Sequence, residues 1–290
     1  MNAVWSLFPK NYRDLDVRRL AALVRETGLD TTNVVVRKGY LVDEDTLGAS
    51  LPLFVEAARK EGLEVRFAST TFAADDIAGP DSPLAVFSAC GIREFRMGWF
   101  HKEEEDVRGA IQRAKADMDR VAEACRKHRV KAIYQVHHNT LITSASAAYS
   151  LVKGLPAAWI GVELDPGNQS FQGFEPWHYS VGLLGEYCAW VGVKDTVTWQ
   201  EKTRKGDLDK GWRRNFAPLS EGVTNWRRLA EALVQSEFDG ALVFMPFYDE
   251  KDEASRTKKL KAEVKYLRGI FSAVQSPNSL TESGQEQSDG

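Results

Sequence analysis

Short runs of β-branched and apolar residues alternate along this chain with longer segments whose apolar positions recur at helical spacing. Regular alternation of strand and helix is typical of a parallel sheet with helical crossovers. About eight such runs close a barrel, so we predict a single α/β domain built as a (β/α)₈ barrel. An open, doubly wound sheet is the alternative, although no predicted strand is followed by the G-x-G-x-x-G turn of its dinucleotide-binding form. The predicted strands are Ala3–Phe8, Asn33–Arg37, Glu64–Ser69, Arg93–Gly98, Ala132–His137, Trp159–Asp165, Ala189–Lys194 and Ala241–Phe247.

The segments between these strands are predicted to form amphipathic helices. Lys251–Phe271 is charged but carries an apolar stripe, so we expect it to pack on the outside of the barrel as the final helix. Residues 276–290 are almost entirely polar and are predicted to be a disordered tail, which leaves residues 1–275 as the barrel domain. The other predicted helices are Val17–Thr27, Leu47–Glu61, Val107–His128, Ala145–Lys153, Trp177–Glu186 and Trp226–Gln235.

Composition narrows the classes of function. Charged residues make up 27% of the 290 residues and the net charge is −3, so no basic surface is expected for nucleic acid. The three cysteines are widely spaced, which argues against a disulfide framework and favours a reducing compartment. The amino-terminal segment is too quickly charged for a signal peptide, and no apolar run approaches the roughly 20 residues that span a bilayer. A cytoplasmic protein without membrane contact is therefore expected.

Polar side chains gather at the carboxyl ends of the predicted strands, where the active site of such a barrel lies. Side chains alternate between the two faces of a strand, so Glu163 and Asp165 share one face, as do Gln135 and His137. Buried carboxylates need a cation, a hydrogen-bond donor or a raised pKa. The carboxylates of Glu163 and Asp165 therefore belong either to a chemical site or to structural ion pairs with a residue such as Arg96 or Lys194.

The adjacent histidines His137 and His138 invite a metal interpretation. Because neighbouring residues of a strand face opposite ways, both cannot easily bind one ion, and we expect one to be interior and the other to pack behind the strand. His137 is the candidate ligand, base or substrate donor, since a histidine near a substrate can exchange protons near neutral pH.

Five segments in order resemble the xylose-isomerase-like TIM-barrel superfamily, whose members are usually called sugar phosphate isomerases/epimerases. They are Tyr134–Thr140 together with Ser144–Ala147, and the segments GVELDPGN, WVGVKDT, APLSEGVTNW and FDGALVFMPF. The resemblance covers roughly Ala3 to Phe247 and is strongest in the second half of the chain. It implies a sugar-like small-molecule ligand, a role in carbohydrate metabolism, and a divalent metal, often manganese, at the barrel mouth.

The family's four metal ligands are a Glu, an Asp, a His and a Glu, and this chain keeps one of them. The first position falls on Gln135 or, with a small shift, on His137; the second falls on Asp165. The third and fourth fall on Gly192 and Met245. Mn²⁺ and Mg²⁺ require several anionic oxygen ligands, so the metal site is predicted to be degenerate. If a metal binds, Asp165 with Gln135 or His137 would hold it. The family's histidine outside the ligand set corresponds to Asn168.

Two arrangements would allow catalysis in a site that lacks most of the metal ligands. Either a different ion binds among His137, Glu163, Asp165 and Asp195, or proton transfer proceeds without metal. In the second case Asp165 or His137 would be the base, and Lys194 or Arg96 would stabilise an enolate oxygen. The predicted catalytic residues are therefore Asp165, His137 and Lys194. The predicted substrate-binding residues are Gln135, Glu163, Asn168, Arg96, Asp195 and Trp190.

Aromatic and basic side chains would complete a sugar pocket. Trp5, Trp99, Trp190 and Trp199 fall at or just beyond strand ends, where their rings either stack on a sugar or simply pack. The polar segment Trp199–Phe216 is interpreted either as a solvated surface loop or as a lid that carries Arg213 or Arg214 to an anionic group.

Two functions remain after these considerations. The first is an isomerase or epimerase, or alternatively a lyase, that acts on a carbohydrate or polyol by proton transfer beside a carbonyl. The second is a non-catalytic barrel that binds carbohydrate or serves as a partner subunit, which the loss of metal ligands favours. An abasic-site endonuclease of the same superfamily would need a richer cluster of His, Asp and Glu and a basic surface. The sequence leaves substrate identity and homo-oligomerisation open.

Overall fold

A computed structural model describes residues 2–102, 105–173, 175–203, 205–206, 210–248, 250 and 252–276 of the chain. Apart from Ser276, the predicted polar tail lies outside these described residues.

Eight parallel strands form a closed barrel, as the sequence predicted. Each strand pairs with its neighbours in the order β1-β10-β7-β6-β5-β4-β3-β2, and the closing contact joins β1 to β2. The open, doubly wound alternative is thereby excluded. The barrel strands are β1 (Val4–Leu7), β2 (Thr31–Val35), β3 (Phe67–Ser69), β4 (Glu94–Arg96), β5 (Lys131–Gln135), β6 (Ile160–Leu164), β7 (Cys188–Val193) and β10 (Ala241–Phe244).

Helices surround the barrel and cover its outer face. α1 shows how local sequence sets their ends: Asp16 caps its first turn, and Gly28 ends it in the left-handed conformation that glycine adopts without strain. The last helix, α10, packs against α9 and α1 and completes the outer layer, as predicted. The helices are α1 (Val17–Thr27), α2 (Leu47–Lys60), α3 (Ala74–Ala78), α4 (Leu84–Ala89), α5 (Val107–His128), α6 (Ala145–Val152), α7 (Pro166–Gln169), α8 (Trp177–Leu184), α9 (Trp226–Gln235) and α10 (Glu253–Gln275). None of the helices within the described ranges has the length and apolar character needed to cross a membrane.

The barrel interior changes character along its axis. Its lower part is apolar and includes Phe67, Ile133, Trp190 and Val243. Buried polar and charged side chains, by contrast, concentrate toward the carboxyl ends of the strands. The core below is therefore a packed platform, and the candidate site lies on top of it.

The segment between β7 and α9 differs from the predicted loop. It folds as an antiparallel hairpin of β8 (Asp195–Gln200) and β9 (Trp212–Ala217) that stands outside the barrel. Polar residues make up at least half of both strands, and full burial is confined to the start of β8 and the end of β9, so neither strand shows the apolar face by which a strand is recognised in sequence. This hairpin occupies the place of the predicted lid.

Candidate functional site

Asp165 is the centre of a buried polar cluster at the barrel mouth. It directly follows β6 and caps α7, where Pro166 occupies the first helical position and fixes the turn. The side chain is fully buried, and its Oδ1 accepts a hydrogen bond of 2.9 Å from the backbone nitrogen of Asn168. The strand end and the short helix together hold this carboxylate in one orientation.

Three further donors reach the other oxygen of Asp165. Its Oδ2 accepts hydrogen bonds from Gln135 Nε2 at 2.6 Å and from Asn168 Nδ2 at 2.9 Å. The ammonium of Lys194 lies 3.1 Å from the same oxygen. Both oxygens of Asp165 thus accept hydrogen bonds from the protein, and three of the predicted site residues meet at this carboxylate.

Lys194 is a buried cation that follows β7. Its Nζ also donates to Asn168 Oδ1 at 3.0 Å and lies 5.1 Å and 5.2 Å from the ring centroids of Phe216 and Phe247. Burial lowers the pKa of Lys194, and the charge of Asp165 opposes that shift. The ammonium is positioned by two oxygens and two rings, which fixes it at the mouth.

Glu163 lies one layer deeper than Asp165. Both of its carboxyl oxygens are buried and have no hydrogen-bond partner among the described residues. Burial raises the pKa of Glu163 to about 8; the charge of Arg96 opposes this shift, and that of Asp165 adds to it. Glu163 is therefore largely protonated at neutral pH. Of the two carboxyl groups for which a structural ion pair was one alternative, Asp165 forms such a pair with Lys194, and Glu163 has no partner among the described residues.

Arg96 faces Glu163 from the end of β4. Its guanidinium lies 4.7 Å from the centroid of Phe8 and 5.6 Å from that of Trp99, and its Nε is buried without a hydrogen-bond partner. Burial lowers the pKa of this group, and the charge of Glu163 raises it. Aromatic faces therefore support this cation.

The two histidines adopt a different arrangement from the one predicted. Their rings stack on each other with centroids 4.5 Å apart, and His137 also lies 4.4 Å from the ring of Trp99. Strand alternation does not separate them because β5 ends at Gln135, before either histidine. Both rings consequently line the mouth.

Hydrogen bonds define which ring nitrogen carries the proton. Nδ1 of His137 lies 2.8 Å from the backbone oxygen of His138, which can only accept, so Nδ1 is protonated and Nε2 holds the free lone pair. Burial lowers the pKa of His137 to about 3, opposed by this hydrogen bond and reinforced by the charges of Lys194, His138 and Arg96. His137 is therefore a neutral imidazole with Nε2 as an acceptor.

His138 belongs to the same network, which the sequence did not indicate. Its Nδ1 donates to Asn168 Oδ1 at 2.9 Å, and its ring stacks on Phe171 with centroids 4.3 Å apart. The feature of the sequence that could have indicated this role is Asn168, three residues after Asp165. Its side chain lies on the first turn of α7 and reaches the residues that follow β5, where Nδ2 donates to the backbone oxygen of Val136.

Two predicted substrate-binding residues lie elsewhere. Trp190 points inward but fills the lower part of the barrel, where its Nε1 donates to Glu94 at the start of β4. Asp195 accepts hydrogen bonds from Thr224 and from Trp226 Nε1, so it anchors the segment that leads into α9. Trp190 was predicted at or just beyond a strand end, whereas it lies in the first half of β7, below the mouth.

The remaining tryptophans divide between the mouth and the surface. Trp99 joins the site and donates from Nε1 to Gln135 Oε1 at 3.3 Å. Trp5 packs on the outer face against Phe244 and Phe271, and Trp199 is 40% exposed on the hairpin. Only Trp99 of this group can contact a ligand held by Asp165 and Lys194.

A cavity lies beside the mouth and is lined in part by the hairpin. It has a volume of about 510 Å³ and shares the side chain of Phe171 with the site. Arg214 donates to the backbone oxygen of Phe171, so the hairpin is tied to the loop after β6. The lining residues are Asn139, Phe171, Gln172, Trp212, Arg213 and Arg214.

The residues at the four metal-ligand positions do not suit a divalent cation. Gln135 directs its Nε2 donor toward both Asp165 and, at 4.0 Å, the sulfur of Met245. A Cβ on Gly192 would lie 2.8 Å from Asp165 Oδ2, so the carboxylate occupies the space that a ligand side chain at this position would need. Within the described ranges, no group of three or more His, Cys, Asp or Glu side chains is placed to hold a metal. The ammonium of Lys194 is the cation that contacts Asp165.

Comparison with known families identifies the class of protein. The model of the xylose isomerase-like TIM barrel family matches residues 3–270, and the chain belongs to that family. No curated protein matches the chain.

Solved structures show the same fold at low identity. D-Psicose 3-epimerase with D-tagatose from Clostridium cellulolyticum H10 aligns with a TM-score of 0.69 and 14% identity, covering 92% of this chain and 99% of that one. An L-ribulose 3-epimerase aligns with a TM-score of 0.68 and 15% identity over 99% and 100%. A xylose isomerase-like TIM barrel protein from Mycobacterium smegmatis, in complex with magnesium, aligns with a TM-score of 0.67 and 13% identity over 94% and 98%. Such identities establish the shared fold and leave the chemistry to the site.

Proposed function

We propose that this protein is a carbohydrate isomerase or epimerase that moves a proton beside a carbonyl group without a bound metal. The observation that carries the proposal is the buried pair of Lys194 and Asp165, with 3.1 Å between Nζ and Oδ2. In this pair an ammonium is held at a carboxylate that occupies the family's second metal-ligand position. The sugar epimerases among the structural relatives supply the substrate class.

The proposed reaction uses one acid and one base. Nε2 of His137 removes the proton from the carbon beside the carbonyl, and the electron pair moves onto the carbonyl oxygen to give an enolate. The ammonium of Lys194 donates a hydrogen bond to that oxygen and stabilises its charge. Delivery of a solvent proton to the opposite face of the same carbon, with His137 releasing its proton to solvent, gives the epimer. Delivery of the proton from His137 to the former carbonyl carbon gives the isomer when the hydroxyl proton of the neighbouring carbon passes to the former carbonyl oxygen.

The surrounding residues support these roles. Asp165 and Asn168 each offer one oxygen to Nζ of Lys194, so the ammonium keeps its position when a substrate arrives. Both oxygens of Asp165 already accept hydrogen bonds, which leaves the lone pair on Nε2 of His137 as the free proton acceptor at the mouth. Gln135 and Trp99 lie at the same opening and are the candidates for contact with the sugar hydroxyls and ring.

A non-catalytic carbohydrate-binding barrel is the second candidate function. It is favoured by the replacement of acid–base glutamates by Gln135 and Met245, which removes the groups that the family resemblance assigns to proton transfer. The two functions differ in one measurable event, because only an enzyme exchanges the substrate proton beside the carbonyl with solvent.

Deuterium exchange tests the proposal without knowledge of the product. The protein is incubated in D₂O with ketohexoses and ketopentoses, with and without EDTA, and the signals of the protons beside the carbonyl are followed by NMR. We expect enzyme-dependent exchange that EDTA does not alter and that Lys194→Met slows by roughly 10²-fold or more. Lys38→Met is the matched control, since the Lys38 side chain is 77% exposed.

Two outcomes would contradict the proposal. Exchange that stops with EDTA and returns with added Mn²⁺ would show that a metal carries the chemistry. Binding of a sugar without any exchange would support the non-catalytic barrel instead.

A further inference from the structure

Four basic side chains converge at the barrel mouth from separate strand ends. Lys10 follows β1, Arg37 follows β2, Arg96 ends β4 and Lys194 follows β7. They are close enough to interact: burial lowers the pKa of Lys10, and the charges of Arg37, Arg96 and Lys194 lower it further. Nζ of Lys10 and Nζ of Lys194 lie 5.4 Å and 5.2 Å from the centroid of the same ring, that of Phe247. One small ligand can therefore span the group.

Negative charge at the mouth does not balance these cations. Asp165 is paired with Lys194, and Glu163 lies one layer deeper, so among the described residues of the site two carboxyl groups face four cations. Within the described part of the chain, Lys10, Arg37 and Arg96 make no ion pair. Arg37 interacts electrostatically with Glu44, which is a lesser influence on it than burial. Three cations thus remain without a carboxylate partner.

The guanidinium groups also have unused hydrogen-bond donors. Nε of Arg37 and Nε of Arg96 are both buried without an acceptor among the described residues, and Arg96 as a whole is only 2% exposed. Leaving a charged donor buried and unpaired costs free energy, so such groups are retained where a ligand supplies the acceptor. Planar guanidinium groups bind carboxylate and phosphate oxygens through paired N–H donors.

We propose that the ligand of this barrel carries an anionic group, a phosphate or a carboxylate, which is bound between Lys10, Arg37 and Arg96. The reacting carbonyl would then lie at Lys194, and this second half of the proposal rests on the proposed function.

Calorimetric titration with three matched ketoses tests the charge preference. D-Fructose, D-fructose 6-phosphate and D-fructuronate differ at carbon 6 by a hydroxymethyl, a phosphate and a carboxylate. We expect one of the anionic ketoses to bind at least about tenfold more tightly than fructose, equivalent to roughly 1.4 kcal/mol. The tighter of the two identifies the anionic group. Inorganic phosphate serves as a probe that does not depend on the sugar.

Two neighbouring variants separate a specific site from general charge. Arg37→Gln should reduce affinity for the tighter anion by about tenfold, and more than it reduces affinity for fructose. Lys38→Gln removes the same charge one residue further along the chain. The Lys38 side chain is exposed and ion-paired with Asp45 at 3.0 Å, so this variant should leave the affinity unchanged.

Three results would overturn the inference: equal affinity for the three ketoses, equal effects of the two variants, or no binding of phosphate and both anionic ketoses at roughly 10 mM. These measurements are independent of turnover. An anion that binds tightly without proton exchange would refute the proposed function alone, whereas exchange on fructose without anion preference would refute this inference alone.

Discussion

The pair formed by Lys194 and Asp165 predicts a measurable coupling in stability. Nζ lies 3.1 Å from Oδ2, and the side chains are 4% and 0% exposed. At an effective dielectric constant of about 20, two unit charges at this distance attract each other by roughly 5 kcal/mol. Burial of both charges offsets part of that attraction, so the intact pair adds less than this to the free energy of unfolding. Removal of one partner leaves the other charge buried and unpaired.

Lys194→Met should therefore destabilise the protein by about 3 kcal/mol, the lower end of the range for breaking a buried pair. The lower end applies because Asp165 keeps its donors on Gln135 and Asn168. Asp165→Asn should cost a similar amount. Loss of the Asp165 charge removes one cause of the raised pKa of Glu163, so Glu163 can ionise and partly replace the negative charge beside Lys194. The double variant should lose less than the sum of the two, by about 2 kcal/mol or more.

Urea unfolding followed by tryptophan fluorescence gives the four free energies of this cycle. The exposed pair Lys60 and Glu56, at 2.7 Å with side chains 72% and 48% exposed, is the control for an ion pair in solvent. Its coupling should be about 0.5 kcal/mol or less. Strict additivity at Lys194 and Asp165, or a coupling no larger than in the control pair, would show that solvent screens the mouth. The ammonium could not then serve as a fixed electrostatic element.

Three further predictions test the neighbouring positions. Burial raises the pKa of Glu163 to about 8, so the folded state keeps a proton that the unfolded chain loses above its ordinary pKa of 4.5. The free energy of unfolding should consequently fall as pH rises between these values, and Glu163→Gln should reduce that slope in urea titrations at several pH values; an unchanged slope would contradict the assignment. Met245→Glu should strengthen Mn²⁺ binding in calorimetry, and an unchanged affinity would count against the alignment of β10. Gly192→Ala should cost about 1–3 kcal/mol, because its Cβ would lie 2.8 Å from a carboxylate oxygen. Gly182→Ala, with nothing within 4 Å of the added Cβ, is its control and should not destabilise α8.

Much of the site could be predicted because strand ends are visible in sequence. Polar residues at two-residue spacing after an apolar run identified Glu163 and Asp165 as inward-facing, and the structure places both inside the barrel. The same reasoning directed Gln135 to the mouth, where it contacts Asp165. Lys194 followed from its position at the end of β7. Periodicity and position are local properties, so one chain contains enough information to find them.

Properties that depend on several strands at once could not be predicted. Trp190 is the third of the six residues of β7, away from its carboxyl end, and its height in the barrel also depends on how the neighbouring strands are staggered. The stacking of His137 on His138 depends on β5 ending at Gln135, and strand ends are the least certain feature of a sequence pattern. The hairpin of β8 and β9 was missed because both of its faces are polar or exposed, and pairing between its own strands replaces an apolar face.

The lost metal ligands and the gathered cations have one electrostatic explanation. A divalent ion at a barrel mouth is stable when carboxylates outnumber the positive side chains around it. Here Lys194 already contacts Asp165, and Arg96 is close enough to oppose the raised pKa of Glu163. These two side chains supply positive charge to the two carboxyl groups, and a further divalent cation would repel Lys10 and Arg37 as well. An anion experiences the opposite field, and it is attracted by the same four groups that would repel a divalent cation. The replacement of metal ligands and the preference for an anionic sugar are therefore expected to occur together, as two consequences of one charge distribution.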